Sequence, residues 1–290
     1  MRVAFVGLGV MGYPMAGHLA ASPELEVTVH NRTASRAEQW AAEHDGRVVG
    51  SPEKAARDAD VVMMCVGNDD DVRSVALGRG GVLGGMREGA VLVDHTTASA
   101  EMARDLHAAC EAVDVGFVDA PVSGGQSGAE NGALTVMCGG EPDVFDRVEP
   151  VVQHYARAVT LLGPPGSGQL TKMVNQICIA GVLQGLSEGL AFGARAGLDM
   201  DQVIEVISQG AAGSWQMQNR GPTMVRGEFD FGFALDWMRK DLAIVLAEAG
   251  RNGAHLPMTA LVDQFYGRLQ RQSHGRWDTS ALITLLDDDD

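Results

Sequence analysis

The hydrophobic rhythm of the chain changes once. Short apolar, β-branched runs recur through the first half, at residues 3–6, 27–29, 61–64, 91–93, 116–118, 134–136 and 159–162. Between most of them lie Ala-, Glu- and Arg-rich segments with helical periodicity, such as 34–43 and 99–113. Strands alternating with helices predict an α/β fold with a mostly parallel sheet covered on both faces. After Leu162 the strand pattern stops. Gly163-Pro164-Pro165-Gly166 forms a turn cluster, and one long helical pattern runs over 167–196 until Gly197 closes it. Further helices are predicted at 200–208, 235–252, 257–272 and 279–286. The chain therefore divides near residue 163 into an α/β domain, 1–163, and an all-helical domain, 164–290. The long helix is both joint and spine.

Within that helix Gly181, Gly185, Gly189 and Gly193 recur every four residues, on one slowly turning face. Each costs about 1 kcal/mol relative to alanine in a helix interior, so an offsetting gain is expected. Close approach of another helix would supply it, from the same chain or from a second subunit.

Composition narrows the function classes. With 290 residues and 46% hydrophobic content the chain can bury a large core, and a formal charge of −16 excludes a general phosphate-tracking surface. No nucleic-acid partner is expected. Cys65, Cys110, Cys138 and Cys178 lack CxxC spacing and fall in apolar or helical runs, which suits buried thiols in a reducing compartment and implies no metal site. The start of the chain runs straight into a strand pattern, with no charged leader. The most apolar long window, 173–194, is interrupted by Asn175, Gln176, Gln184 and Glu188, a poor membrane span. A cytoplasmic protein is the expectation, and the run Asp287–Asp290 reads as a solvated tail.

The first strand leads into Gly7-Leu8-Gly9-Val10-Met11-Gly12, with a helix predicted over 13–21. A glycine turn between strand and helix is the pattern of a dinucleotide site. Gly7 makes the tight turn, Gly9 lets backbone approach a pyrophosphate, and Gly12 lets helix pack closely on strand. Where a carboxylate at the end of the second strand would favour NAD, this chain has His30-Asn31-Arg32-Thr33. Arg32 can pair with a 2′-phosphate, and Asn31 and Thr33 can donate hydrogen bonds. NADP is the expected cofactor and NAD the weaker alternative. Val66 and Gly67, after the strand at 61–64, join the candidate cofactor contacts.

Two further segments carry candidate chemistry. In Asp119-Ala120-Pro121-Val122-Ser123-Gly124-Gly125 a hydroxyl and two flexible amides could hold a substrate carboxylate, or form a plain glycine-rich loop. Lys172 opens the long helix, with Asn175 and Gln176 three and four residues on, hence on its side. A lysine so placed is a candidate proton donor. Lys240, followed by Asp241, offers a second cation; entering the same cleft, it would lower the Lys172 pKa.

These motifs, in this order and over nearly the whole chain, resemble the β-hydroxyacid dehydrogenases, the family of 3-hydroxyisobutyrate dehydrogenase and tartronate semialdehyde reductase. The segments are Gly7 to Ala16, Asp119 to Gly125, Gly166 to Gln176, and Lys240-Asp241-Leu242. The resemblance implies an N-terminal Rossmann-type doubly wound sheet joined by a long helix to an all-helical domain, with the active site in the cleft between them. It implies interconversion of a small 3-hydroxy acid and its semialdehyde by hydride transfer. Lys172 would be the acid/base, Ser123 and Gly124, with Gly125, the carboxylate contacts, and Asn175 or Gln176 a substrate anchor. Lys240 would close over the cofactor and Thr97 would supply a cofactor-loop hydroxyl. A homodimer or homotetramer is expected. His95-Thr96-Thr97 departs from the family's usual Ser-Thr ending, and Gln176 stands where many relatives have a second asparagine. Imine reductases resemble this architecture but usually lack the lysine retained here as Lys172.

Overall fold

The computed structural model describes residues 1–286; Asp287–Asp290, with the tail expected there, lies outside the described residues. The chain forms two compact units, Met1–Lys172 and a second from Met173.

The first unit contains nine strands: β1 (Arg2–Val6), β2 (Glu26–His30), β3 (Arg47–Val48), β4 (Val61–Met64), β5 (Val91–Asp94), β6 (Gly116–Asp119), β7 (Val122–Ser123), β8 (Leu134–Gly140) and β9 (Ala156–Leu161). Their order is β3-β2-β1-β4-β5-β6-β8-β7, with β9 paired to β8. Pairing is parallel from β3 through β6 and between β8 and β9, and antiparallel where β8 meets β6 and β7. Strand alternation explains the two cores. Val3, Phe5, Val61, Met63, Val91 and Val93 face one side, while Ala4, Val6, Val62, Met64 and Leu92 face the other. Because helices cover both faces, these strands are continuous apolar runs.

The helices of this unit are α1 (Gly12–Ala20), α2 (Ala34–Glu43), α3 (Pro52–Ala56), α4 (Asp69–Leu77), α5 (Ala100–Glu111), α6 (Gly125–Glu130) and α7 (Pro142–Val152). Chain order reverses between β1 and β4, so the carboxyl ends of these two strands form the switch point where such sheets take ligands.

Helix α8 (Ser167–Arg195) runs from one unit into the other. Gly197, with φ +77°, ends it, and the Leu198 amide donates to the Gly193 carbonyl at 3.1 Å. The second unit continues with α9 (Met200–Ile207), α10 (Trp215–Val225), α11 (Leu235–Asn252) and α12 (Pro257–Arg271) around Leu183, Leu190, Leu235, Met238, Leu242, Val262, Tyr266 and Leu269. The α-helix expected at 279–286 is instead a 3-10 segment, Thr279–Leu285. The buried Asp278 accounts for it. Its carboxylate accepts from the Ser280 amide and hydroxyl at 3.0 and 2.6 Å, tightening the start of the turn.

One open alternative narrows and one expectation needs correction. Among the described residues a Cβ added at Gly181, Gly185 or Gly189 would meet nothing within 4 Å, so no described helix of this chain crosses closely there. Only Gly193 is tightly packed, against the Met200 side chain at 2.7 Å. Cys178, on α8, is exposed rather than buried; Cys110 and Cys138 are buried, and burial pushes each thiol up to about 12. By length and composition α8 could cross a membrane, and 39% of its most apolar window is buried inside the protein.

Candidate active site

The turn after β1 is shaped by three different constraints. Gly7 has φ +99°, a left-handed conformation that favours glycine, and a Cβ there would overlap the Cys65 carbonyl. Its amide donates to the His30 carbonyl at 2.9 Å, and the Leu8 amide donates to Asn31 Oδ1 at 2.9 Å. A Cβ at Gly12 would overlap the Gly7 carbonyl and reach 2.8 Å from the Phe5 ring, so glycine permits the close strand-to-helix approach. Gly9 is different: it is exposed with Val10, its φ is not left-handed, and a Cβ there meets nothing within 4 Å. Nothing among the described residues requires glycine at Gly9. A dinucleotide pyrophosphate against that backbone does, so the turn fits the cofactor its spacing suggests. Leu8 is buried beneath the turn, and Met11 is half-buried at the N-cap of α1.

Beside this turn the β2 terminus is already partly engaged. The Asn31 side chain braces the turn: its oxygen accepts from the Leu8 amide, and one N–H of its amide donates to the Thr33 carbonyl at 3.0 Å. Thr33 is the N-cap of α2. Arg32 is 92% exposed and lies 3.8 Å from Asp71 on α4. Sequence reading missed Arg36, one turn into α2. Its Nε donates to the Leu8 carbonyl at 3.1 Å, and its guanidinium lies 4.2 Å over the Tyr13 ring. An arginine four residues after Arg32 was the available signal.

After β4 the half-buried Val66 and Gly67 complete the switch point, and the Val66 amide donates to Thr96 Oγ1 at 3.0 Å. The preceding His95 is a core residue. Its Nδ1–H donates to the Ala120 carbonyl at 2.7 Å and its Nε2 accepts from the Tyr155 hydroxyl at 2.8 Å. Burial pushes its pKa down to about 4, so the ring is neutral and keeps this tautomer. The departure from Ser-Thr is thus absorbed by the core, and Thr97 is left half-buried on the loop. Burial raises the Asp94 carboxyl to about 7, while bonds from Thr96 pull the other way.

Ser123 ends β7, and Gly124 and Gly125 turn into α6 with φ +136° and +61°. The positive φ at Gly124 makes glycine the residue of choice there. The same segment begins at Asp119, whose carboxylate accepts from the Gly166 and Gln169 amides at 2.7 and 2.9 Å and so caps α8. Burial pushes Asp119 up to about 6 against these bonds. Lys172, 8% exposed, follows one turn later.

Further along α8, Asn175 Nδ2 donates to Gln176 Oε1 at 2.8 Å, and Gln176 Nε2 donates to Asp241 Oδ2 at 2.6 Å. The buried Gln176 amide therefore holds the half-buried Asn175, which makes Asn175 the better substrate-facing candidate of the two. Lys240 lies 3.0 Å from Asp241 Oδ1, an ion pair within α11.

A nucleotide-binding glycine turn at the switch point, a capped helix presenting a buried lysine, and a hydroxyl-glycine turn define an NAD(P)-dependent oxidoreductase. Residues 2–163 match the NAD binding domain of 6-phosphogluconate dehydrogenase, and residues 166–286 match the NAD-binding domain of NADP-dependent 3-hydroxyisobutyrate dehydrogenase. The chain belongs to the β-hydroxyacid dehydrogenase family. It is 60% identical over 286 residues to an uncharacterised oxidoreductase of Shewanella frigidimarina (strain NCIMB 400), covering 99% of this chain and 98% of that protein. It is 40% identical over 287 residues to a probable 3-hydroxyisobutyrate dehydrogenase-like protein of Arabidopsis thaliana, covering 99% and 85%. Among solved structures it resembles 3-hydroxyisobutyrate dehydrogenase of Mycobacterium tuberculosis with L-serine, at TM-score 0.89, 29% identity and 98% coverage of each chain.

Proposed function

We propose that the chain interconverts a small 3-hydroxy acid and its semialdehyde, as a 3-hydroxyisobutyrate dehydrogenase would, with NADP(H) preferred over NAD(H). The observation that carries this reading is the buried Lys172 one turn inside a helix whose N-terminus is clamped by Asp119, the first residue of the segment bearing Ser123. The nicotinamide, when bound, supplies or accepts hydride. Ser123, Gly124 and Gly125 hold the substrate carboxylate, and Asn175 anchors the substrate from α8. Lys172 donates a proton to the nascent alkoxide in reduction and removes it from the hydroxyl in oxidation. The Gly7–Gly12 turn with Val66, Gly67, Thr97 and Lys240 holds the dinucleotide. A panel of 3-hydroxy acids, semialdehydes and a cyclic imine, assayed with both cofactors, tests the reading; turnover of the imine alone would replace it.

The cofactor preference rests on the missing carboxylate after β2 and on the two guanidinium groups at this edge, Arg32 and Arg36. Arg32→Ala removes a charge-assisted contact to the 2′-phosphate, typically about 1.5–3 kcal/mol, so KM for NADPH should rise at least roughly tenfold. KM for NADH should change little. Equal losses with both cofactors would remove Arg32 from the role of selector.

A homodimer or homotetramer is also proposed. Val174, Val182 and Phe192 are 59, 40 and 74% exposed on the α8 face that carries Gly181, Gly185 and Gly189. A second copy packed there would account both for the apolar exposure and for the glycines. Gly185→Leu projects into open space in the single chain, so the subunit fold should persist while the assembly weakens. Sedimentation showing an unchanged assembly, with an unchanged melting temperature, would exclude this face as the contact.

A further inference from the structure

Gln169 is 1% exposed and makes bonds that the proposed mechanism does not use. Its side-chain oxygen accepts from the Ala98 amide at 3.0 Å, and its side-chain nitrogen donates to the Thr96 carbonyl at 2.7 Å. Both partners belong to the loop after β5, on either side of Thr97. The loop is held on its other side too: Thr96 Oγ1 accepts from Val66, and the Thr96 amide donates to Asp94 Oδ1 at 2.9 Å. Gln169's own backbone amide donates to Asp119. One buried residue thus joins the loop after β5, itself tied through Thr96 to the segment after β4, and the end of β6 to the first turn of α8. Three residues on, Lys172 lies on the same side of the helix about 4.5 Å further along its axis.

A helix that needed only to pack against this loop would use an apolar side chain there. Burying an amide costs free energy unless every bond is made, and here the bonds go to two backbone groups of one loop. We propose that Gln169 is a positioning residue for the reaction: it fixes the Thr96–Ala98 loop, with Thr97 at its centre, in register with the helix that carries Lys172. The proposal rests on reading Lys172 as the acid/base and Thr97 as a cofactor contact. It gives the nicotinamide edge and the proton donor a common frame, so that hydride and proton reach adjacent atoms of one substrate.

The test uses the full-length protein with Gln169→Leu, Gln169→Glu and Lys172→Ala beside the parent. It measures kcat and KM for the 3-hydroxy acid that the parent oxidises fastest, and NADPH affinity by fluorescence titration. In Gln169→Leu the loop loses both bonds, and kcat should fall roughly 10–100-fold while NADPH affinity shifts by no more than about threefold. Gln169→Glu reads the bonds themselves. At pH 8 the introduced carboxylate faces the Thr96 carbonyl and kcat is low. As pH falls the protonated acid regains a donor for Thr96 and keeps an acceptor for Ala98, so activity recovers relative to the parent. Taking the variant-to-parent ratio cancels the titration of Asp94 and Asp119, the carboxyls on β5 and β6 that face this joint.

A parent-like kcat in Gln169→Leu, or a Gln169→Glu ratio that does not change with pH, overturns the proposal. If Gln169→Leu does not fold, the pH dependence of the Gln169→Glu ratio decides alone. Retained activity in Lys172→Ala would instead overturn the underlying reading of the site, whatever the Gln169 variants show.

Discussion

Lys172→Ala lowers kcat by roughly 10²–10⁴-fold, the range expected for loss of a positioned acid/base, while NADPH still binds. The two effects separate because the dinucleotide turn at Gly7–Gly12 is far from Lys172 in sequence and is braced by its own contacts to His30 and Asn31. In the reductive direction, hydride reaching the carbonyl carbon leaves negative charge on oxygen, which a buried ammonium both stabilises and protonates. In the oxidative direction the same group must be a neutral amine, so the parent's oxidation rate rises with pH and the variant's does not. Lys172→Arg sharpens the distinction. It keeps a cation for the alkoxide but cannot be deprotonated, so oxidation should be lost nearly as fully as with alanine. A purified Lys172→Ala protein that binds NADPH and oxidises every active 3-hydroxy acid at close to the parent rate would remove Lys172 from the chemistry.

Much of the frame behind this expectation was legible in the sequence. Strands such as β4 and β5 are buried on both faces and so read as unbroken apolar runs, and α8 was bracketed by Gly166 before it and Gly197 after it. The missed elements had weak or contradictory local signals. Strands β3 and β7 have two residues each and exist only through their neighbours in the sheet. Helix α10 contains Gly221-Pro222, breakers that tertiary packing overrides. For the site, residue types and spacing marked Gly7, Gly9, Gly12, Ser123 and Lys172. What they could not show is which groups hold them. Gln169 meets Thr96 across 73 positions and Asp119 meets Gly166 across 47, and no local pattern announces a contact of that range. Asn31 illustrates the converse. Its type suggested a donor to the cofactor, and what spacing did not show is that the same amide also ties the Leu8 amide to the Thr33 carbonyl within the turn.

The glycine turn yields the second large effect, because Gly9 and Gly12 should fail in different ways. In Gly12→Ala the methyl overlaps the Gly7 carbonyl and presses on the Phe5 ring, so strand and helix must move apart. Such overfilling costs typically about 1–3 kcal/mol, or more where backbone is the obstacle, and the melting temperature should fall together with cofactor binding. Gly9→Ala meets no atom within 4 Å and needs no left-handed φ, so the cofactor-free protein should melt as the parent does. On the proposed cofactor reading its methyl nevertheless projects where the pyrophosphate would approach the backbone, and displacing the dinucleotide by about 1 Å should cost on the order of 10²-fold in kcat/KM. Thermal melts without cofactor, paired with NADPH titrations, separate the two. If Gly9→Ala binds NADPH as tightly as the parent, the pyrophosphate does not approach the turn at Gly9. If it melts early, Gly9 has a structural role that the open space around it does not reveal. The expected pairing, an intact fold with lost binding, follows because this glycine answers to no constraint among the described residues and is left for a ligand to explain.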